Sequence, residues 1–173
     1  MEKRENILAH IEKTVKSCKR CRLWKSATHA VFGEGNPNAK IMFIGEAPGF
    51  HEDQEGRPFV GRAGQLLNEL LKQANIKREE VYITNVVKHR PPENRAPMKD
   101  EIRTCLPYLI QQIKIINPVV IVPLGRIALE VFIKNKTITE VHGRLFEVGG
   151  RLIYPIHHPA AALRTREILP TLK

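Results

Sequence analysis

Short apolar runs that close on glycine or a polar residue alternate along this chain with longer segments whose apolar positions recur every three to four residues. Lys40-Ile41-Met42-Phe43-Ile44-Gly45 is the clearest run. Its length and lack of polar alternation predict a strand buried on both faces, as in a parallel sheet. Val81-Tyr82-Ile83-Thr84 and Pro118-Val119-Val120-Ile121-Val122 repeat the type. Residues 61–74 instead carry Leu66, Leu67, Leu70, Leu71 and Ala74 on one helical stripe. Residues 4–16, 97–116 and 126–133 predict further helices, with Pro107 expected to bend or divide the second of these. Residues 145–148 and 151–156 flank Gly149-Gly150, the signature of a strand pair around a tight turn. A last helix is expected after His158-Pro159.

This alternation of strands and helices predicts one α/β domain over residues 1–173, with a mainly parallel sheet covered on both faces. There are no internal repeats and no low-complexity linker. Active crevices of such sheets lie beyond the carboxyl ends of the strands. Polar motifs fall at those ends: Gly45-Glu46-Ala47-Pro48-Gly49, then Asn85, then His157-His158-Pro159.

Each motif has an ordinary reading beside a chemical one. Gly45–Gly49 can be a plain strand-to-loop turn, or a rigid turn whose N–H groups bind an anion or a polarised carbonyl. Phe59, between Pro58 and Val60-Gly61, can be core or a stacking platform for a planar ligand. Asn85 can cap a turn, or use its carboxamide to read adjacent donor and acceptor groups on a base edge. His158 can be structural, or a donor to a developing anion. Four such signals on one rim favour a site.

Charge sharpens the choice of partner. Lys and Arg number 28 against 18 acids, for a formal charge of +10. Such an excess favours a polyanion, most often nucleic acid. The basic residues are scattered, so any positive surface must be assembled by the fold. No stretch approaches the length of a membrane span, and the start does not read as a signal peptide. A soluble, cytoplasmic protein is therefore expected, and a monomer. Three cysteines make a secreted disulfide framework improbable. Cys18-x-x-Cys21, with His89 and Cys105 far downstream, can instead hold zinc or an iron–sulfur cluster.

Taken in order, the motifs resemble a known family. Cys18-x-x-Cys21, Gly45-Glu-Ala-Pro-Gly49, Pro58-Phe-Val-Gly-Arg-Ala-Gly64, Thr84-Asn-Val-Val-Lys88, Asn94-Arg-Ala-Pro97, Pro123-Leu-Gly125 and His158-Pro-Ala-Ala161 are similar to those of family 4 uracil-DNA glycosylases. The resemblance runs from about residue 14 to the end. It implies a three-layer αβα fold around a four-stranded parallel sheet. It also implies hydrolysis of the N-glycosidic bond of uracil in single- or double-stranded DNA, leaving an abasic site. The nucleotide would be flipped out of the duplex. Phe59 would then stack on uracil, Asn85 would bond its O4 and N3–H, and Gly45 and Ala47 would shape the pocket. His158 would stabilise the leaving anion through O2. Glu46 is implied as the residue that positions water or stabilises the cationic sugar, with Asn94 assisting. Arg95, Ala160, Ala161 and Arg164 would meet the DNA backbone.

The chain also departs from the family pattern. Ala47 stands where better-known relatives in the superfamily carry an aspartate. His89 stands where family members supply the third of four cysteines to a [4Fe–4S] cluster; three outcomes follow, in order of expectation: a Cys3His-ligated cluster through Cys18, Cys21, His89 and Cys105, a cluster with one labile or solvent-bound iron, or a different metal. The closing helix ends at Leu172-Lys173, earlier than the family leads one to expect. A related branch bonds covalently to DNA through a histidine in an inserted basic loop. Residues 90–97 are short and lack that histidine, and no motif places a lysine for Schiff-base chemistry. Simple hydrolysis without strand cleavage is therefore expected. The competing expectation is a DNA-binding or damage-sensing module with this fold and no turnover.

Overall fold

The computed structural model describes residues 3–164, apart from the side chain of Arg164. Helix α1 (Arg4–Lys16) leads through a 3₁₀ turn at Arg22–Lys25 to a two-residue strand, β1 (Glu34–Gly35). Then follow β2 (Ile41–Gly45), α2 (Phe50–Glu55), α3 (Arg62–Gln73), β3 (Tyr82–Asn85) and α4 (Lys99–Ile116). Strand β4 (Val120–Pro123) precedes α5 (Arg126–Phe132) and the short α6 (Ile138–Val141). The hairpin β5 (Phe146–Val148) and β6 (Arg151–Ile153) and helix α7 (Pro159–Arg164) complete the described fold. The expected end at Leu172-Lys173 lies outside the described residues.

The sheet order is β1-β3-β2-β4-β6-β5. Strands β3, β2, β4 and β6 are mutually parallel, which gives the expected four-stranded core. Two short antiparallel strands, β1 and β5, extend it to six. β5 and β6 pair around Gly149 and Gly150, at φ 57° and 80°. Two successive positive φ angles are what a tight hairpin turn of this hand requires.

Side-chain alternation along the strands divides the core into two layers. Met42, Ile44, Tyr82 and Ile121 pack toward α1 and α4, with Val15, Leu109 and Ile113. Phe43, Ile83 and Val122 point the other way, toward Leu67 and Leu71 of α3. A strand buried on both faces reads as a continuous apolar run, and β2 shows why. Helix α4 is a single element with Pro107 inside it, not divided as the sequence suggests. Pro107 and Arg103 both lie on the exposed side. The carbonyl that loses its partner to proline is therefore at the water-facing surface, where the loss costs least.

Candidate active site

Parallel pairing brings the strand ends to one rim. Gly45 lies opposite Asn85 in the β2–β3 register. A bridge between Leu124 and Ile156 prolongs the β4–β6 pairing, and Gly125 N–H donates to the Ile156 carbonyl at 2.9 Å. That contact delivers His157-His158 beside the ends of β2 and β3. The rim encloses a cavity of about 270 Å³ whose lining includes Ala47, Phe59, Asn85, Asn94, Arg95 and His158.

Glycines set how closely these groups approach. A Cβ on Gly45 would stand 2.4 Å from Asn85 Oδ1 and 2.6 Å from Phe59 Cζ. A Cβ on Gly64 would fall 2.0 Å from the Phe59 carbonyl oxygen. Glycine at both positions lets the ring and the carboxamide share the strand end.

Phe59 itself holds φ 50°, an unfavourable conformation for a bulky residue. Two oppositely charged side chains impose it. Glu52 Oε2 accepts the N–H groups of Val60 and Gly61 at 2.8 Å each, and Oε1 accepts that of Gly49 at 3.1 Å. Arg78 donates to the carbonyls of Pro58 at 2.6 Å and Phe59 at 3.0 Å. The loop's donors are thus gathered by a carboxylate and its acceptors by a guanidinium. Glu52 also lines the cavity.

Asn85 is 2% exposed, and its Oδ1 is the one buried side-chain oxygen or nitrogen among the described residues that lacks a hydrogen-bond partner. An unsatisfied buried acceptor costs roughly 1–3 kcal/mol. The residue lines the cavity, from which a donor could reach this oxygen. Its backbone is fixed from below by Lys88, only 1% exposed. Lys88 Nζ donates to the Asn85 carbonyl at 2.8 Å, to Thr84 Oγ1 at 2.6 Å and to Gln112 Oε1 at 2.7 Å. Three acceptors match the three protons of an ammonium. Burial without a carboxylate partner pushes its pKa down to about 7.

His158 faces Phe59, with ring centroids 5.6 Å apart and planes inclined by 29°. The Ala160 N–H donates to His158 Nδ1 at 3.0 Å. Nδ1 is therefore the acceptor nitrogen, and the proton of the neutral ring sits on Nε2. The imidazole is held as an Nε2–H donor.

The other expected site residues sort as follows. Ala160 lines the cavity, while Ala161, half-buried in α7, is not among its lining residues. Asn94, at φ 57°, accepts from Arg90 Nε at 2.6 Å. Glu46 is half-buried at the end of β2, where its carbonyl accepts the Val87 N–H at 3.2 Å. Its residue is not among those lining the cavity; the carboxylate that does line it belongs to Glu52. Arg95 lines the cavity, but its guanidinium forms a two-pronged pair with buried Glu101, at 2.8 and 3.0 Å. That pairing holds the Glu101 carboxyl below its usual range. The Arg164 side chain lies outside the described residues.

Cys18, Cys21, His89 and Cys105 all border one narrow cavity behind Lys88. Cys105 and His89 are buried, and Tyr108 donates its hydroxyl to Cys18 Sγ at 3.1 Å. Burial pushes the Cys105 thiol up to about 11 and lowers the pKa of His89, although Asp53 opposes the latter. Neutral imidazole is the ligating form. Buried thiols of raised pKa become thiolates only when a cation compensates the charge. Among the described residues no group of three His, Cys, Asp or Glu side chains could hold a single metal ion. The donor chemistry fits a soft-metal centre, while the spacing does not bring the donors to one point.

A parallel sheet whose carboxyl edge presents a flat ring, an unsatisfied carboxamide and an oriented N–H donor has the parts to receive a planar ligand with donors and acceptors along its edge. Comparison with known proteins agrees. The chain belongs to the uracil DNA glycosylase superfamily, whose family model matches residues 32–173. It is 48% identical to a type-4 uracil-DNA glycosylase of Thermotoga maritima over 169 residues, covering 96% of this chain and 88% of that one. It is also 50% identical to a type-4 uracil-DNA glycosylase of Sulfurisphaera tokodaii, covering 90% and 76%. With a type-5 uracil-DNA glycosylase of Pyrobaculum aerophilum identity falls to 30%, over 88% of this chain.

Proposed function

We propose that this chain excises uracil from DNA by hydrolysing the N1–C1′ bond, leaving an abasic site and no strand break. The observation that carries the reading is the orphaned, buried Oδ1 of Asn85 beside Phe59. Uracil has an N3–H to donate to it and an O4 to accept from the amide nitrogen. Cytosine has an acceptor at N3, which would oppose Oδ1 and leave both groups unpaired. Rejection by unpaired buried groups is the strong form of specificity.

As the N1–C1′ bond breaks, its electron pair passes to the base and charge develops on O2. His158 Nε2–H, fixed by the Ala160 contact, donates to that oxygen and stabilises the leaving group without a proton transfer. The sugar becomes oxocarbenium-like, water adds to C1′, and the proton that water loses goes to solvent, from which the departed uracil anion is protonated. Glu46 is assigned to the cationic side of the reaction and Asn94 to the cavity mouth. Ala160, Ala161 and Arg164 are assigned to the DNA backbone. Arg95 would act there only on exchanging part of its pairing with Glu101.

The same reading includes a [4Fe–4S] cluster held by Cys18, Cys21, His89 and Cys105. Thiolate and imidazole side chains would hold such a cluster, which would supply a structural tie at that place. A single zinc ion draws four donors to one point. The cluster would tie the segment after α1 to α4 and the loop after β3; the residues that recognise and cleave belong to the other cavity. We further propose that the protein acts as a monomer inside the cell. No helix among the described residues is long and apolar enough to cross a membrane.

The test is incubation with a uracil-containing oligonucleotide followed by hot alkali. Free uracil and alkali-labile sites are expected from the wild-type chain, with losses of several orders of magnitude in Asn85→Ala. Tight binding of uracil-containing DNA with no released base at any temperature would leave the binding-module reading instead.

A further inference from the structure

Immediately outside the cavity mouth stands a group of side chains that the cleavage mechanism does not use. Phe50, at the start of α2, follows Gly49 of the cavity lining and is 50% exposed. It belongs to neither layer of the core. The Arg90 guanidinium lies over its ring, 5.4 Å from the centroid. His51 meets it edge-on at 5.4 Å. Arg90 is in turn held by Asn94, which lines the cavity together with Pro91. The loop that carries Asn94 turns through two successive positive φ angles, Glu93 at 54° and Asn94 at 57°. Backbone held in that region persists only when its surroundings enforce it.

We propose that Phe50 and Arg90 form a stacking and phosphate-binding site for the nucleotide next to the flipped uridine. This inference rests on the uracil-DNA reading of the cavity. When a nucleotide leaves the stack, its neighbour loses one stacking face and exposes it. Phe50 offers a replacement surface at the point where the strand enters the pocket. Aromatic stacking tolerates any base, since each has a π-face, which suits an enzyme that must act in every sequence context. Arg90, with its planar cation already over the ring, is placed for the adjacent phosphate, and the overall charge of +10 draws the strand in. Because the nucleotide on one side is bound outside the cavity, recognition extends beyond the excised base.

The test pairs changes in the protein with changes in the DNA. Short single strands carry one uracil, with either a normal neighbour or an abasic spacer on each side in turn. For the wild type, one of the two spacers is expected to raise KM about tenfold, the order of one lost base–aromatic stack. Phe50→Ala should raise KM on the normal strand by a similar factor, leave kcat at saturating DNA unchanged, and abolish the penalty of that spacer. Phe50→Trp should restore tight binding, which guards against a folding defect in the alanine variant. Arg90→Ala should weaken binding and reduce the slope of log K against log salt by about one. Inhibition by free uracil should not move in the Phe50 variants. Unchanged KM in Phe50→Ala, or a spacer penalty equal in both proteins, would overturn the proposal. A strand carrying 2-aminopurine beside a non-cleavable uridine separates the two readings. Quenching lost in Phe50→Ala supports the platform even if no base is ever released, whereas quenching that persists there refutes it even in an active enzyme.

Discussion

Replacing Glu52 by alanine tests whether one carboxylate builds the ring-bearing loop. The side chain accepts three backbone N–H bonds, two at 2.8 Å and one at 3.1 Å. Bonds to charged groups are worth about 1.5–3 kcal/mol each. Glu52 is only half-buried, so the lower end applies, and water recovers part of the loss at the freed N–H groups. Roughly 3 kcal/mol of stability should disappear, equivalent to about 6–12 °C in melting temperature for a chain of this size. Activity should fall further than stability. Phe59 at φ 50° stores about 1 kcal/mol or more of backbone strain, and a released loop will relax out of the stacking position. The measurements are urea unfolding followed by far-UV circular dichroism, and single-turnover uracil release well below both melting points. Glu52→Gln is the informative companion, since it keeps one acceptor oxygen but turns an NH2 toward N–H donors. It should lose at least half of the alanine effect. A Glu52→Ala protein within about 0.5 kcal/mol of wild type, with uracil release intact, would refute the reasoning.

Gly45→Ala should cost about 1–3 kcal/mol by overpacking and a far larger factor in kcat/KM, because the new methyl meets both Asn85 and Phe59; free-uracil inhibition and chemical denaturation measure the two effects separately. His157 is buried and stands against His142, with ring centroids 4.6 Å apart; burial first, and the neighbouring imidazole second, hold its pKa below 6.5. The unfolded chain therefore binds the proton more readily, so stability is full above about pH 6.5 and falls as the pH drops through the lowered value. His142→Gln should flatten that fall in urea midpoints measured from pH 7.5 to 5, and an unchanged slope would remove His142 from the account. If the proposed cluster is bound, His89→Cys should slow its loss of iron to a chelator, since a thiolate replaces a neutral ligand; equal rates of loss in both proteins, or no iron in either, would count against His89 as a ligand.

Much of this site is legible in the residues because strand ends converge by topology. Once β2, β3 and the last strand, β6, are seen as members of one parallel sheet, Gly45, Asn85 and His158 must share an edge. The hairpin at Gly149-Gly150 is equally plain, since few sequences tolerate two positive φ angles in succession. What escapes is chemistry carried by residues in uncharacteristic roles. Helix α2, Phe-His-Glu-Asp-Gln-Glu, has no apolar period, and a two-residue strand such as β1 has no pattern at all. The one local sign of α2 is a glutamate three residues after Gly49, the spacing of a capping box, and that same glutamate carries the Phe59 loop. Lys88 escapes because lysine is almost never fully buried. Two of its acceptors, Thr84 and Asn85, are near in sequence, but the third, Gln112, comes from α4 and belongs to no local pattern. Arg95 reads as a phosphate ligand until its partner Glu101, at the start of α4, is in view. Spacing alone puts Cys18, Cys21, His89 and Cys105 in one set but does not say how far apart the donors stand.

The two short flanking strands have a consequence for the molecule in concentrated solution. A sheet edge is a template onto which another chain can add, and four parallel, apolar strands would make a dangerous one. Here β1 offers two residues and β5 three, both running against the core strands. Glu34 on β1 is occupied by Arg57 and Arg78, so the outermost strand on that side carries a charged, crosslinked face. Its partner residue Gly35 holds φ 136°, a backbone setting that a continuing strand would not share. Strand addition is thereby disfavoured at the β1 margin, and the β5 margin offers an incoming chain only three residues to pair with.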